Sequence, residues 1–399
     1  MMESSQTEPV VQLPEFSLFR GGLLHRFWLK IGLSGIDLEM VSRRILLVMA
    51  VTWLPLLILS VINGTAFKGD VGIPFFQDAA VQARFLAGLP FLLYGEVFAH
   101  RRMESRIQNF LRRSILTGEE IPKFQAAIDR AHRIRDSIWL EIGIAVLVCT
   151  VGVWSWRSQM VFGTSGWFAD PDGTNLNLTL AGYWLAFVSV PIFQFIIGRW
   201  YARFLIWLWF LWRVSRLKMD LMPTHPDRAA GIGFLTRATY SFGFVLLTQG
   251  AMLSGLIANL VLHNGQHLME FRMQAIGYIV FFVGLVLAPL TVFIPSLVAA
   301  KRKGLSEYGA LATEYTRDFG KRWIEKINPK GEELLGTTDI QSLADLGHSF
   351  QMIREMWIAP FGFRAVIWLA AVTAAPLLPL AFFIFSPEAL VDMLLKVVI

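Results

Sequence analysis

A chain of 399 residues that is 55% hydrophobic and only 17% charged, with a mean hydropathy of +0.52, is not an ordinary soluble protein. Its net charge of +6 does not point to nucleic acid, because the basic residues flank apolar runs instead of coating one face of a domain. A single cysteine, Cys149, excludes an intrachain disulfide or a cysteine metal cluster, and the polar start from Met1 to Glu8 lacks the basic n-region of a cleavable signal peptide.

Thirty-one of the 36 Lys and Arg residues fall in four blocks: the N-terminus through Arg44, then 100–136, 199–238 and 301–364. Apolar runs of membrane-spanning length separate them, a span needing about 20 residues to cross a hydrocarbon core of roughly 30 Å. Basic residues near membrane segments stay on the cytoplasmic side. The alternation therefore predicts an all-α polytopic membrane protein with seven transmembrane helices, N-terminus inside and C-terminus outside. The spans are expected near 43–63, 84–100, 137–156, 180–198, 239–262, 274–299 and 364–386. Pro55, Pro90, Pro191, Pro289, Pro295, Pro376 and Pro379 lie inside these runs and should kink the helices without ending them.

In chain order, residues 1–42 read as a cytoplasmic tail. There Phe16, Leu18, Phe19, Leu23, Leu24, Phe27, Trp28 and Ile31 interleave with Arg20, Arg26 and Lys30. That pattern suits an amphipathic helix on the membrane surface, or one packed on the cytoplasmic layer. Residues 43–156 hold spans 1–3 and a cytoplasmic hairpin at 101–135, with apolar stripes through Met103, Ile107, Phe110, Leu111 and Ile115 and through Phe124, Ala127, Ala131 and Ile134. In 157–217 an outer loop leads to a fourth span that is too long, since only Arg199 and Arg203 interrupt the run from Leu178 to Trp212. Either it bends near Gly198 into the interface or it continues into the cytoplasm. The continuous helix is preferred, with Phe204, Leu205, Leu208 and Leu211 as its packing face.

Residues 218–386 hold spans 5–7 and a second cytoplasmic hairpin at 301–363. Its first stripe is Leu305, Tyr308, Leu311, Tyr315, Phe319 and Trp323. An Asn328-Pro329-Lys330-Gly331 turn and a Thr338/Gln341 capping box precede the second stripe, Ile340, Leu343, Leu346, Phe350, Ile353 and Trp357. Residues 387–399 form an outer amphipathic segment. Spans 1–3 and 5–7 repeat one order of elements, so a 3+1+3 parallel layout is a further expectation.

Glu96 and Glu141 each sit about one turn inside the cytoplasmic end of a span, on helices joined by the first hairpin. Arg199 and Arg203 reach the same depth from span 4, and His100 lies one turn from Glu96 on the same face. Ionisable groups at membrane depth usually pair or face a water-filled cavity. The leading reading is an ion-pair cluster holding spans 2–4 in register; a proton or ion path is the alternative, and snorkelling side chains the third.

The stretch Thr224-His225-Pro226-Asp227-Arg228 should open the helix of span 5, with Thr224 or His225 as cap and Asp227 opposing the helix dipole. A functional reading makes His225, Asp227 and Arg228 an anion or headgroup site. His263, His267 and Glu270 could hold a metal only if Asn264-Gly265 did not break their spacing, so no metal or other cofactor is expected. Asp170-Pro171-Asp172-Gly173 reads as a turn before it reads as a calcium loop. Gln249, Ser254 and Asn259 inside span 5 are expected to be interhelical glue.

The stretch His225-Pro-Asp-Arg-Ala-Ala-Gly-Ile-Gly-Phe-Leu235, together with Asp339-Ile-Gln-Ser-Leu-Ala-Asp-Leu346, resembles a group of bacterial multi-pass inner-membrane proteins. The resemblance implies a bacterial cytoplasmic membrane and carries no activity with it. The layout is also similar to that of insect chemoreceptor channels, an analogy of fold alone.

No P-loop, HExxH or GxSxG pattern occurs, and no nucleophile–base pair suggests an enzyme. The leading expectation is a channel- or transporter-like protein with an undefined ion or small-molecule substrate. Its expected partners are the lipid bilayer and further copies of itself. The runner-up is a non-transporting scaffold or sensor whose cytoplasmic hairpins dock a partner, and a lipid-acting membrane enzyme comes third.

Overall fold

The computed structural model describes residues 16–33, 40–67, 71–160, 166–169, 178–325 and 338–383. It is all-helical, with isolated bridges and no strands among the described residues. The helices are α1 (Leu23–Lys30), α2 (Val41–Ile62), α3 (79–107), α4 (Ile121–Arg135), α5 (Ile138–Met160), α6 (Leu180–Val214), α7 (Phe234–Asn264), α8 (Leu268–Ile324), α9 (Thr338–Arg354) and α10 (Phe363–Ala381).

Five of these are long and apolar enough to cross a membrane: α2, α6, α7, α8 and α10. Leu46, Phe187, Val280 and Leu378 stand on their outer faces, each about two-thirds exposed. So much unpartnered apolar surface fits a helical membrane protein. Five is fewer than the seven expected. The two expected segments outside that set are still helical. In α3, Arg84, Glu96 and His100 dilute the apolar run, while α5 is apolar over Ile138–Thr150.

The prolines coincide with local changes of helical register. A proline lacks an N–H and its ring displaces the carbonyl four residues back. The helical register widens into a π turn at Ala83–Gly88, just before Pro90, and at Leu185–Ser189, just before Pro191. It tightens to 3₁₀ across Ala288–Phe293, between Pro289 and Pro295, and across Ala375–Phe383. Hydroxyls on neighbouring helices satisfy groups near these breaks: Thr248 Oγ1 donates to the Gly88 carbonyl (3.1 Å) and Ser189 Oγ to the Thr52 carbonyl (2.6 Å).

At the centre, α7 packs on α3 and α10, while α6 packs on α4 and α5. Loops gather at two ends. At one, Trp167 N–H donates to the Ile73 carbonyl and Asn259 reaches Asp78. At the other, called here the hairpin end, Asp220 N–H donates to the Ile115 carbonyl and Trp357 N–H to that of Arg228.

Two expectations about helices change. Residues 16–22 are not part of an amphipathic helix: among the described residues of the tail the helix covers Leu23–Lys30, and Phe16, Leu18 and Phe19 are buried in the core. The fourth span does run on as one 35-residue helix, but Leu205 faces outward. Phe204 and Leu211 do lie on its packing face, which Trp207, Phe210 and Val214 complete where that stripe meets α4 and the buried N-terminal segment. The longest helix is α8, whose 57 residues reach about 85 Å at 1.5 Å per residue. α9 packs back along its far half to make a two-helix arm. The Asn328–Gly331 turn, the Asp170–Asn175 loop and segment 387–399 lie outside the described residues.

A buried ionic cluster as the candidate functional site

Helical spacing places the cluster before any tertiary contact is considered. Glu96 and His100 are four apart on α3, as are Arg199 and Arg203 on α6, so each pair shares one face. Glu141 stands in the first turn of α5. The fold turns these faces toward one another. Arg203 Nη1 donates to Glu96 Oε1 at 2.6 Å, and Arg199 Nη1 lies 3.6 Å from the same oxygen. Arg199 Nε lies 3.6 Å from Glu141 Oε1, so one guanidinium links both carboxylates. All five residues are buried, His100 included.

Two contributors were not anticipated. Arg44, on the first turns of α2, is buried with Nη1 4.0 Å from Glu96 Oε2. Its spacing to Val48 and Thr52 marks an inward face and was the available signal; inside a basic block it reads only as a topology marker. The cluster thus holds three guanidiniums and two carboxylates.

The second contributor is the N-terminal segment. Ser17 Oγ pairs with His100 Nδ1 at 2.9 Å and accepts the Phe19 and Arg20 amides. Arg135 donates to the Ser17 carbonyl. The Phe19 ring lies against Trp200 and 4.6 Å beneath the Arg203 guanidinium. Glu141 Oε2 then accepts the Leu23 amide at 2.9 Å, so a carboxylate of the cluster caps α1. Gly22 makes this approach possible: its φ is 83°, and a Cβ there would strike the Glu141 carboxylate. On α1, burial holds the His25 imidazole below its usual 6.5, against a smaller upward pull from Glu96.

The geometry suits a lock. Each carboxylate has charged or amide partners, and each contact joins different elements: α2, α3, α5, α6 and the N-terminal segment. Buried pairs offset much of their own desolvation and add little net stability, but they penalise any arrangement that leaves one partner alone.

The second expected site is built differently. Residues 223–233 form turns, and helix α7 begins only at Phe234, because Arg228, Ala230 and Gly231 take positive φ values of 57°, 51° and 96°. The amides that could bind an anion close on the chain's own carboxylate. Asp227 accepts those of Ala229 (2.9 Å), Gly231 (3.0 Å) and Gly233 (3.0 Å). His225 Nδ1 accepts the Asp227 amide, and Arg228 pairs with Glu355 at 3.0 Å.

At the opposite end Asp78 caps the first turn of α3 and takes hydrogen bonds from Trp167 Nε1 (3.0 Å) and Asn259 Nδ2 (2.8 Å). Gln249 joins Tyr201 and Tyr278 across α6, α7 and α8. Asn259 and Gln249 therefore sit in interhelical hydrogen bonds. His263 pairs with the Gln77 carbonyl, and Gly265 ends α7 before His267 and Glu270. No protein-family model, curated protein or solved structure matches the chain.

Proposed function

We propose that this chain is a multi-pass scaffold of the bacterial cytoplasmic membrane, held rigid by the ionic cluster and presenting the α8–α9 arm to a cytoplasmic protein partner. One contrast carries this reading. The ionisable groups at membrane depth are enclosed and paired, while Leu311, Ile324 and Ile340 stand exposed on an arm whose main packing is internal. α3 and α5 would supply the two further crossings, making seven, with both hairpins inside and the C-terminus outside. The clustering of basic residues around the hairpin end supports that orientation. The family-like motifs at His225–Leu235 and Asp339–Leu346 support the bacterial membrane.

Accessibility labelling in a Cys149→Ser background tests the orientation. Cysteines at Gly118 and Glu307 should label only from inside, and those at Asn63 and Gln266 only from outside. Photo-crosslinkers at Leu311, Ile324 and Ile340 test the scaffold. A discrete protein adduct shared by all three positions is expected, and adducts to lipid alone would remove the reading.

A transport reading has its own support. The π turns before Pro90 and Pro191 fall in the two helices that carry Glu96, Arg199 and Arg203, and such turns recur at functional sites. In reconstituted vesicles that reading requires an ion or proton flux lost on Glu96→Gln with folding intact.

A further inference from the structure

An open groove of about 490 Å³ lies at the hairpin end, lined by Met40 and Val41 of the α2 terminus and by Tyr94, Val97, Phe98, Arg101 and Arg102 of α3. On α3 these residues recur at i, i+3, i+4, i+7 and i+8, a single helical stripe. The stripe changes character along its length. Tyr94, Val97 and Phe98 make an apolar floor, with Tyr94 and Phe98 braced on Phe244 of α7 at ring distances of 5.6 and 5.2 Å. Arg101 and Arg102 close the end, about 10 Å further along the helix axis.

These arginines differ from those of the buried cluster and the nearby turns. Arg44, Arg199 and Arg203 face Glu96, Arg113 faces Asp227, Arg135 faces Asp136 and Arg228 faces Glu355. Arg101 and Arg102 are exposed and have no carboxylate partner among the described residues; Arg102 only stacks on Phe98 at 4.4 Å. Arg106 follows Arg102 by one turn on the same helix and adds a further cation at this end. No side chain caps the first turn of α2, so its amides add to the positive field at Met40 and Val41.

We propose that the groove seats one anionic phospholipid, with its phosphate held by Arg101 and Arg102 and its glycerol and upper acyl chains along Phe98, Val97 and Tyr94. The occupant follows from the order of the lining. An apolar floor beside the membrane-length helix α2 that ends in two exposed guanidiniums without a carboxylate partner matches a molecule with a charged phosphate above hydrocarbon. A soluble anion would leave the floor unused. A zwitterionic lipid brings a cation of its own to the arginines. The inference does not depend on whether the arm docks a partner.

Native mass spectrometry of the detergent-purified protein tests it, with phosphatidylglycerol, phosphatidylcholine and inorganic phosphate as probes. Phosphatidylglycerol should be retained as a single adduct and phosphatidylcholine should not. Arg101→Gln with Arg102→Gln should weaken retention about thirty-fold, at roughly five-fold per basic residue. The control Arg302→Gln with Lys303→Gln on the arm should leave it unchanged. Val97→Trp fills the floor while keeping both arginines, and should also displace the lipid. Equal retention of the two lipids would overturn the proposal, and so would full retention in both groove variants. Displacement of the adduct by millimolar inorganic phosphate would assign the arginines to a free anion and overturn the lipid.

Discussion

The two hairpins begin as near-equals in sequence and end as opposites. Each is a pair of apolar stripes at helical spacing within a basic loop. In the first, Met103, Ile107, Phe110, Phe124 and Ala131 are 0% exposed, packed among α4, α6, α7 and the N-terminal segment. In the second, Leu311 is 51% exposed and Ile340 42%, and the buried apolar side chains Ile353 and Met356 lie at its base. The first hairpin is clamped at its base by buried ion pairs. The second is fastened there by Lys301 donating to the Arg354 and Met356 carbonyls, and further out by the half-exposed Arg322–Asp339 pair. An apolar stripe therefore specifies that a helix will pack, not what it will pack against. Here one pair of helices joined the bundle, and the other pair mainly joined each other.

The sharpest way to break this contrast is to remove one charge from an ion pair of each hairpin. Glu96→Gln leaves Arg203, Arg199 and Arg44 without their shared carboxylate, and should cost about 3–5 kcal/mol. Combining it with Arg203→Met should recover much of that loss, which a double-mutant cycle on denaturant unfolding measures. On the arm, Asp339→Asn should cost no more than about 1 kcal/mol, since that pair is half exposed. Equal costs at the two sites would erase the distinction.

Truncation of apolar side chains comes next. Phe110→Ala should cost about 3–5 kcal/mol, the range for a fully buried aromatic. Leu311→Ala should stay within about 0.5 kcal/mol. Amide exchange on intact protein should follow the same order, with α4 protected close to the global limit and the outer half of the arm opening far more readily.

Gly22→Ala probes the clamp alone. A side chain there needs an unfavourable φ and displaces Glu141 from the Leu23 amide, so a loss of roughly 1–3 kcal/mol is expected. Gly118→Ala, where nothing lies within 4 Å, should be nearly silent.

The smallest effect is a dependence on pH. With the His25 pKa lowered in the fold, the unfolded chain binds the proton first as pH falls. Stability should be full above pH 6.5 and decline as pH drops through the interval below it. His25→Gln should flatten that part of the profile, while changes on the arm should leave it intact. A profile unaltered by His25→Gln would place the titration elsewhere.

The cluster shows how far residue spacing can reach. Glu96 with His100 and Arg199 with Arg203 were legible because helical periodicity puts each pair on one face at a depth where charge needs a partner. Arg44 was hidden because a basic residue at a span end already has a sufficient explanation in topology. Ser17 and Phe19 were hidden for another reason. An apolar stretch beside arginines looks the same whether it lies on a bilayer or inserts between helices, and only the space among α3, α4 and α6 distinguishes the two. In sequence the 223–233 turn reads as a helix start because Pro226 and Asp227 suit a first turn equally well. What excludes the helix is the positive φ at Arg228 and Ala230, maintained by three amides converging on Asp227.

Composition and periodicity alone determined that this chain is helical, that it carries helices of membrane-spanning length, and that its prolines sit within helices without ending them. These properties follow from one-dimensional spacing against the fixed dimensions of a helix and a bilayer. Tertiary structure decided the rest: which arginines meet Glu96, that the N-terminal segment is core, and that one hairpin is buried while the other projects. The reason is that a side chain's sequence neighbours define the face it shares, whereas its partner is whatever the remaining helices bring to that face.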